Sequence, residues 1–160
     1  MPSKVGSTEV IQRPVLAVTA DPKYDGFNPS STVLPAGHKK SEEYRAFPVA
    51  TIFDRDVGLP TRDGTVLRAD VYRPADESQK VPALIAWGPY GKSGRGFLSL
   101  DVMFRRMGIP RSKVSGYESF EAPDPAEWTQ RGYAVVNVDA RGAFDSQGNL
   151  WCDYVLLLHV

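Results

Sequence analysis

The chain has 160 residues, of which 42% are hydrophobic and 24% are charged, proportions that are ordinary for one globular domain. Its nineteen basic and nineteen acidic residues cancel, and no run of Lys and Arg could follow a phosphate backbone, which argues against a nucleic-acid partner. The N-terminus lacks the apolar core of a secretory signal and no stretch approaches a membrane span. We therefore expect a cytoplasmic protein with no membrane partner.

Cysteine and histidine are too sparse to suggest a metal centre. The single cysteine is Cys152, and the histidines are His38 and His159. Their spacing matches no metal-ligand pattern, so neither a metal nor a cofactor is expected.

Residues 1–45 are rich in Pro, Ser, Thr, Lys and Gly with little periodicity, which indicates an extended or weakly ordered arm.

The first predicted element is a β-hairpin. From Phe53 onward, apolar and polar residues alternate on both sides of a turn that ends at Gly64, a residue that tolerates positive φ. The second strand is expected to end at Pro74, because proline cannot donate to a β-ladder.

Two apolar runs further along the chain predict two more strands. Ala83–Trp87 is uninterrupted by polar residues, which is typical of a fully buried strand. Tyr133–Asp139 is a second, largely apolar run, and the two runs suggest parallel neighbours in one sheet.

A helix is predicted between these strands. Asp124 has the features of an N-cap, with Pro125 at the first helical position, Glu127 three residues after the cap and Gly132 as the stop. Strand, helix and strand together form a βαβ unit. A further short helix is predicted over Leu100–Met107, with apolar side chains facing the sheet.

The loop after the first apolar run is the leading candidate site, because ligands of open α/β sheets bind just beyond the carboxyl ends of strands. Gly91–Ser93 imitates a phosphate-binding loop, and Asp139 imitates the magnesium-binding strand of an NTPase, which remains an alternative. However, Ala86 stands where that pattern requires its first glycine. Pro89 also has no N–H to offer a phosphate.

Several separated motifs resemble, in order and spacing, the start of the cocaine esterase and Xaa-Pro dipeptidyl-peptidase group of α/β-hydrolases. They are Asp63–Pro74, Pro89–Lys92, Trp128 with Arg131–Val136, and Asp139–Gly142 with Ser146–Gly148. The resemblance covers about residues 54–150 and implies an α/β fold, in which the hairpin and the βαβ unit form the N-terminal portion of a hydrolase sheet. It further implies a serine hydrolase that cleaves ester, amide or prolyl-peptide bonds through an acyl-enzyme, with a small molecule or a peptide as substrate.

The resemblance assigns one catalytic residue, Tyr90. In the group, the tyrosine of the Pro-Tyr motif donates its phenolic O–H to the oxyanion hole, and this tyrosine corresponds to Tyr90. A fixed neutral donor at a strand end suits that role, because attack on a carbonyl generates a negatively charged oxygen. The alternative is that Tyr90 only packs its ring over the sheet edge. Asp139 and Arg141 resemble scaffold residues that hold their loop by hydrogen bonds or an ion pair.

The sequence departs from the group in lacking a Gly-x-Ser-x-Gly nucleophile elbow. The segments around Ser93 and Ser146 each lack one glycine of that motif, and His159 lies in an apolar tail with no elbow serine to activate. The expected organisation is therefore the arm at 1–45, a partial α/β-hydrolase domain at 46–150 that is truncated before the elbow, and a divergent tail at 151–160. Such a chain is expected to be inactive alone, which leaves a non-enzymatic interaction fragment as an alternative and the oligomeric state open.

Overall fold

A five-stranded mixed sheet organises the molecule, with its strands in the spatial order Ser30–Leu34, Thr51–Pro60, Val66–Pro74, Ala134–Asp139 and Ala83–Gly88. The computed structural model describes residues 3–10, 17–20, 24, 26–78, 80–93 and 98–150. Within these ranges, no helix has the length and apolarity needed to cross a membrane. The strands are β1 (Ser3–Val5), β2 (Thr8–Val10), β3 (Ser30–Leu34), β4 (Thr51–Pro60), β5 (Val66–Pro74), β6 (Ala83–Gly88) and β7 (Ala134–Asp139), the α-helix is α1 (Pro125–Thr129), and short 3₁₀ turns cover Val18–Ala20, Leu100–Val102, Phe104–Gly108 and Arg111–Lys113.

The predicted hairpin is confirmed as β4 and β5, which pair antiparallel along most of their length. Gly64 lies in the connecting turn with φ of +83°, and β5 ends at Pro74 as expected. The register shifts between Asp54 and Val57, where Asp56 adopts a left-handed φ of +56°. This bulge buries the Asp56 carboxylate, because the extra residue re-aims a side chain that regular pairing would place elsewhere.

The N-terminal arm contains three strands that composition did not predict: β1 and β2 form a separate two-stranded sheet, and β3 joins the five-stranded sheet. β3 pairs antiparallel with β4, from Ser30 opposite Arg55 to Leu34 opposite Thr51. Only Leu34 of this strand is buried, and it packs in a cluster with Phe47. The strand has no apolar alternation to reveal it, since its conformation depends on the backbone hydrogen bonds that β4 provides.

The predicted βαβ unit is also confirmed. β6 and β7 are parallel neighbours, and α1 lies between them in sequence. Asp124 caps α1, its carboxylate accepting a hydrogen bond from the Ala126 N–H at 3.0 Å. Beyond the helix, the Tyr133 N–H donates back to the Trp128 carbonyl at 3.1 Å, so the chain reverses around Gly132 into β7.

The prediction that Ala83–Trp87 is fully buried is wrong. The strand exists, but it is the outer strand of the sheet, and Ile85 and Trp87 are 63% and 60% exposed. An apolar run shows only that its residues suit a strand that is buried on both faces of a sheet. Whether both faces are covered depends on elements elsewhere in the chain.

The predicted helix over Leu100–Met107 is wrong as well. This segment forms short 3₁₀ turns, and the backbone is left-handed from Arg105 to Met107. Ser99 makes no capping hydrogen bond, and Asp101 pairs with Arg106 and with Arg111, so side chains stabilise turns here and not a continuous helix. Phe104, expected to face the sheet, is 83% exposed.

Candidate functional site

The loop at the carboxyl end of β6 opens onto a cavity of about 230 Å³. Tyr90 lines this cavity together with Ser119, Phe120, Glu121 and Asn137. The structure thus places the predicted site residue Tyr90 on a cavity wall, at the sheet edge where α/β proteins bind ligands.

The side chain of Tyr90 contacts both Glu121 and Phe120. Its hydroxyl donates a hydrogen bond to Glu121 Oε2 at 3.1 Å. Its ring lies edge-to-face against Phe120, with the centroids 5.0 Å apart. A neutral phenolic donor therefore stands beside an exposed carboxylate.

Two residues after Tyr90, Lys92 is the centre of a buried ionic cluster. The side chain is only 5% exposed, and its Nζ lies 2.7 Å from Asp145 Oδ2, 2.9 Å from Asp139 Oδ2 and 3.1 Å from Asp56 Oδ1. These carboxylates come from the bulge of β4, the end of β7 and the loop after β7. We call these four residues the Lys92 cluster.

In the sequence, Lys92 belongs to the imitation of a phosphate loop and to the Pro89–Lys92 motif, and neither pattern predicts its ion pairs. Its partners lie between 36 and 53 positions away, at Asp56, Asp139 and Asp145. Two weak signals were present, namely a lysine in a strand-end loop and carboxylates at another strand end. Neither identifies the partners without the fold.

Electrostatics in the Lys92 cluster follow from burial and from the short ion pairs. Burial by itself would lower the pKa of Lys92, but the Asp139 and Asp145 carboxylates outweigh it and hold that pKa above its ordinary value. Burial raises the pKa of Asp139 despite the nearby Lys92 ammonium. For Asp145, burial is outweighed by hydrogen bonds from Lys92 and Tyr24, so its pKa is lowered. Lys92 consequently stays charged and engaged by its partners.

The expected scaffold roles of Asp139 and Arg141 are visible, although the two residues hold different loops. Asp139 binds Lys92, whereas Arg141 Nη1 lies 2.9 Å from Asp63 Oδ2 and donates to Thr65 Oγ1 at 2.5 Å. Arg141 thereby ties the loop after β7 to the turn of the hairpin.

The serine in the second near-match to a nucleophile elbow is structurally engaged. Ser146 is buried, donates to the Asp139 carbonyl at 2.7 Å and accepts from the Arg68 N–H at 2.8 Å. His38 is half-buried, with a ring nitrogen 2.8 Å from the Tyr117 hydroxyl. The tail at 151–160, with Cys152 and His159, lies outside the described residues.

Known proteins share both the sequence pattern and the fold. The family model described as X-Pro dipeptidyl-peptidase (S15 family) matches residues 63–154, which is more than half of the chain. A curated relative, the L-tyrosine:2-oxoglutarate aminotransferase ucdG of Aspergillus ustus, is 31% identical over 97 residues, covering 61% of this chain and 18% of that protein.

Two crystal structures of a CocE/NonD family hydrolase from Staphylococcus aureus share 25% sequence identity with the chain, with TM-scores of 0.56 and 0.50. They cover 88% and 84% of this chain, which spans 22% of the length of that hydrolase. The likeness confirms the α/β class that the motifs indicated. With more than half of its residues matched by the family model, the chain belongs to the X-Pro dipeptidyl-peptidase (S15) family of hydrolases.

Proposed function

We propose that this chain supplies the oxyanion-stabilising, N-terminal part of a serine hydrolase, which cleaves ester, amide or prolyl-peptide bonds through an acyl-enzyme intermediate. The family match over residues 63–154 and the shared fold with the Staphylococcus aureus hydrolase support this proposal. The complete reaction also requires a nucleophile and a general base, and no Gly-x-Ser-x-Gly elbow occurs in the 160 residues.

The observation that carries the proposal is that Tyr90 lines the cavity beyond β6 and that its hydroxyl is bonded to Glu121, another residue of the cavity wall. When a nucleophile bonds to a carbonyl carbon, an electron pair moves onto the carbonyl oxygen. A phenolic O–H aimed at that oxygen stabilises its charge, and a donor held in place needs no reorganisation during the reaction. The scissile carbonyl would occupy the cavity beside Tyr90.

The contact with Glu121 sets a requirement on this role. The Tyr90 hydroxyl has a single proton to donate, and that proton is engaged by Glu121 Oε2. The substrate oxygen must therefore replace Glu121 as the acceptor. Glu121 is exposed, so water can solvate its carboxylate after the exchange.

The geometry of Lys92 argues against the NTPase alternative. A phosphate-binding lysine must present its ammonium group to the nucleotide, whereas that of Lys92 is buried against three carboxylates. Amino-group transfer, which the name of the Aspergillus relative indicates for that protein, gains no support from Lys92 either. Schiff-base chemistry requires a neutral amine, and the Lys92 cluster raises the pKa of this one.

The first test uses the purified chain with a fluorophosphonate probe, which bonds covalently to activated serines. We expect no labelled serine and no hydrolysis of a nitrophenyl ester above that of the Tyr90→Phe variant. A labelled serine would show that a nucleophile is present in these residues and would overturn that part of the proposal.

A second test replaces the matching segment of the Staphylococcus aureus hydrolase with residues 26–150 of this chain, which include His38 and Asp56. In an active chimera, Tyr90→Phe should lower kcat by about 10²- to 10³-fold with little effect on KM, because it removes one donor to the transition state. Tyr117→Phe is the matched control, since Tyr117 bonds His38 and does not line the cavity. A Tyr90→Phe chimera as active as the control contradicts the proposed role.

A further inference from the structure

Asp139 binds Lys92 at two points. Its Oδ1 accepts a hydrogen bond from the Lys92 backbone N–H at 2.7 Å, and its Oδ2 accepts one from Lys92 Nζ at 2.9 Å. Asp139 is 1% exposed, so both bonds form out of water, where charge-assisted hydrogen bonds are strong. One carboxylate thereby fixes both the main chain and the side chain of Lys92.

The start of the loop that carries Tyr90 also lies next to Asp139. In the parallel ladder between β6 and β7, Gly88 is the register partner of Asp139. The segment 89–91 therefore begins next to the Asp139 backbone and ends at the Asp139 side chain. Tyr90 is the central residue of this short span.

Contacts at Gly91 also restrain the loop, on the side opposite Asp139. Its carbonyl accepts a hydrogen bond from Ser119 Oγ at 2.7 Å, and its backbone has a φ of +78°. A Cβ at this position would lie 3.0 Å from the Phe144 ring, so a larger residue would push the loop away. Little freedom remains for the backbone that carries Tyr90.

The three carboxylates of the Lys92 cluster have different roles. Asp56 and Asp145 reach Lys92 only at Nζ, where they neutralise its charge. Asp139 also holds the Lys92 backbone N–H. A change of charge at Asp145 should therefore leave the loop in place, whereas a change at Asp139 should move it.

We infer that Asp139, acting through Lys92, is the positioning residue for Tyr90. The contacts between Asp139 and Lys92 hold whether or not the chain takes part in catalysis. The importance of this positioning for catalysis rests on the proposed function. Asp139→Asn weakens the hold on Lys92, because the side chain loses its charge and one of its two acceptor oxygens.

The test compares Asp139→Asn with Asp145→Asn in the full 160-residue chain labelled with 3-fluorotyrosine and observed by ¹⁹F NMR. Tyrosine-to-phenylalanine variants assign the signals. Both substitutions remove one carboxylate charge from the same cluster. We expect Asp139→Asn to shift the Tyr90 signal, and Asp145→Asn to shift that of Tyr24, whose hydroxyl donates to Asp145 Oδ1 at 2.7 Å. The signal of the buried Tyr72 should stay in place in both variants, which shows that the sheet is intact.

An unmoved Tyr90 signal in Asp139→Asn overturns the inference, as do equal shifts of that signal in the two variants. If Asp139→Asn does not fold, hydrogen exchange of the unsubstituted chain decides. The Lys92 amide should then be protected to the level of the β7 ladder amides, and exchange as fast as that of exposed loop amides would overturn the inference.

The Staphylococcus aureus chimera separates this inference from the proposed function. If Asp139→Asn displaces Tyr90 and kcat falls in parallel with Tyr90→Phe, both stand. If Tyr90 is displaced while kcat is unchanged, Asp139 still positions Tyr90, and the proposed catalytic role of Tyr90 fails.

Discussion

At the scale of single residues, a buried carboxylate next to the Lys92 cluster makes the free energy of unfolding depend on pH. Asp70 accepts a hydrogen bond from the Asp56 N–H at 3.1 Å, and burial raises its pKa from 3.8 to about 6. Between these values the folded chain keeps a proton that the unfolded chain has lost. Asp70 therefore favours folding most at low pH, and this advantage is lost as the pH rises towards about 6.

The first prediction concerns Asp70→Asn. The amide oxygen can still accept from the Asp56 N–H, and the cost of a buried charge disappears. We expect unfolding free energy to rise by roughly 1–3 kcal/mol near pH 8, with the gain shrinking towards about pH 4. Urea denaturation at both pH values measures this difference.

Asp63→Asn provides the control of opposite sign. The Arg141 guanidinium and the Thr61 hydroxyl lower the pKa of Asp63, so its charge favours folding at neutral pH. Asp63→Asn should therefore destabilise the chain at high pH, and this loss should diminish in acid. A pH-independent effect of Asp70→Asn, or a loss of stability near pH 8, would refute our account of Asp70.

At the scale of elements, local signals succeeded where one residue supplies the decisive hydrogen bond. Helix α1 was predicted from Asp124 and Pro125, and the Asp124 side chain forms the cap. The segment Leu100–Met107 has apolar residues but no cap, and its charged pairs favour turns. Apolar content alone does not make a helix, because the ends of a short helix leave most of its backbone groups unpaired.

The second prediction concerns Asp124→Ala. Asp124 Oδ1 accepts from the Ala126 N–H, and its Oδ2 accepts from the Ser115 N–H at 2.9 Å. Removing both acceptors should lower unfolding free energy by about 1–2 kcal/mol. Asp124→Asn keeps one acceptor oxygen and should lose less. Equal stability of the alanine variant and the unsubstituted chain in urea would show that the cap contributes nothing.

At the scale of the whole molecule, the sheet ends in an apolar strand. β6 pairs with β7 on one side, and no described residue pairs with its other edge. Ile85 and Trp87 project from this strand and are mostly exposed. Exposed strand edges with apolar side chains favour association with other chains, whereas charges on an edge strand oppose it.

The third prediction follows for Trp87→Lys. We expect this variant to self-associate less than the unsubstituted chain, because burying the lysine charge in an edge-to-edge contact is unfavourable. Sedimentation velocity over a series of protein concentrations measures the difference. Phe104→Lys is the control, since Phe104 is exposed on a 3₁₀ turn without a strand edge. An equal effect of the two substitutions would show that general surface apolarity, and not the β6 edge, drives association.

Sequence patterns alone determined the hairpin, helix α1, the parallel pair of strands and the family, because each depends on residues that are close in sequence or on motifs in fixed order. They also singled out Tyr90. Only the tertiary structure decided that β6 is exposed, that β3 joins the sheet and that Lys92 meets Asp56, Asp139 and Asp145. Burial and ion pairing depend on which distant segments pack together, and a bulge in β4 and a strand end in β7 are brought to one point only by the folded chain.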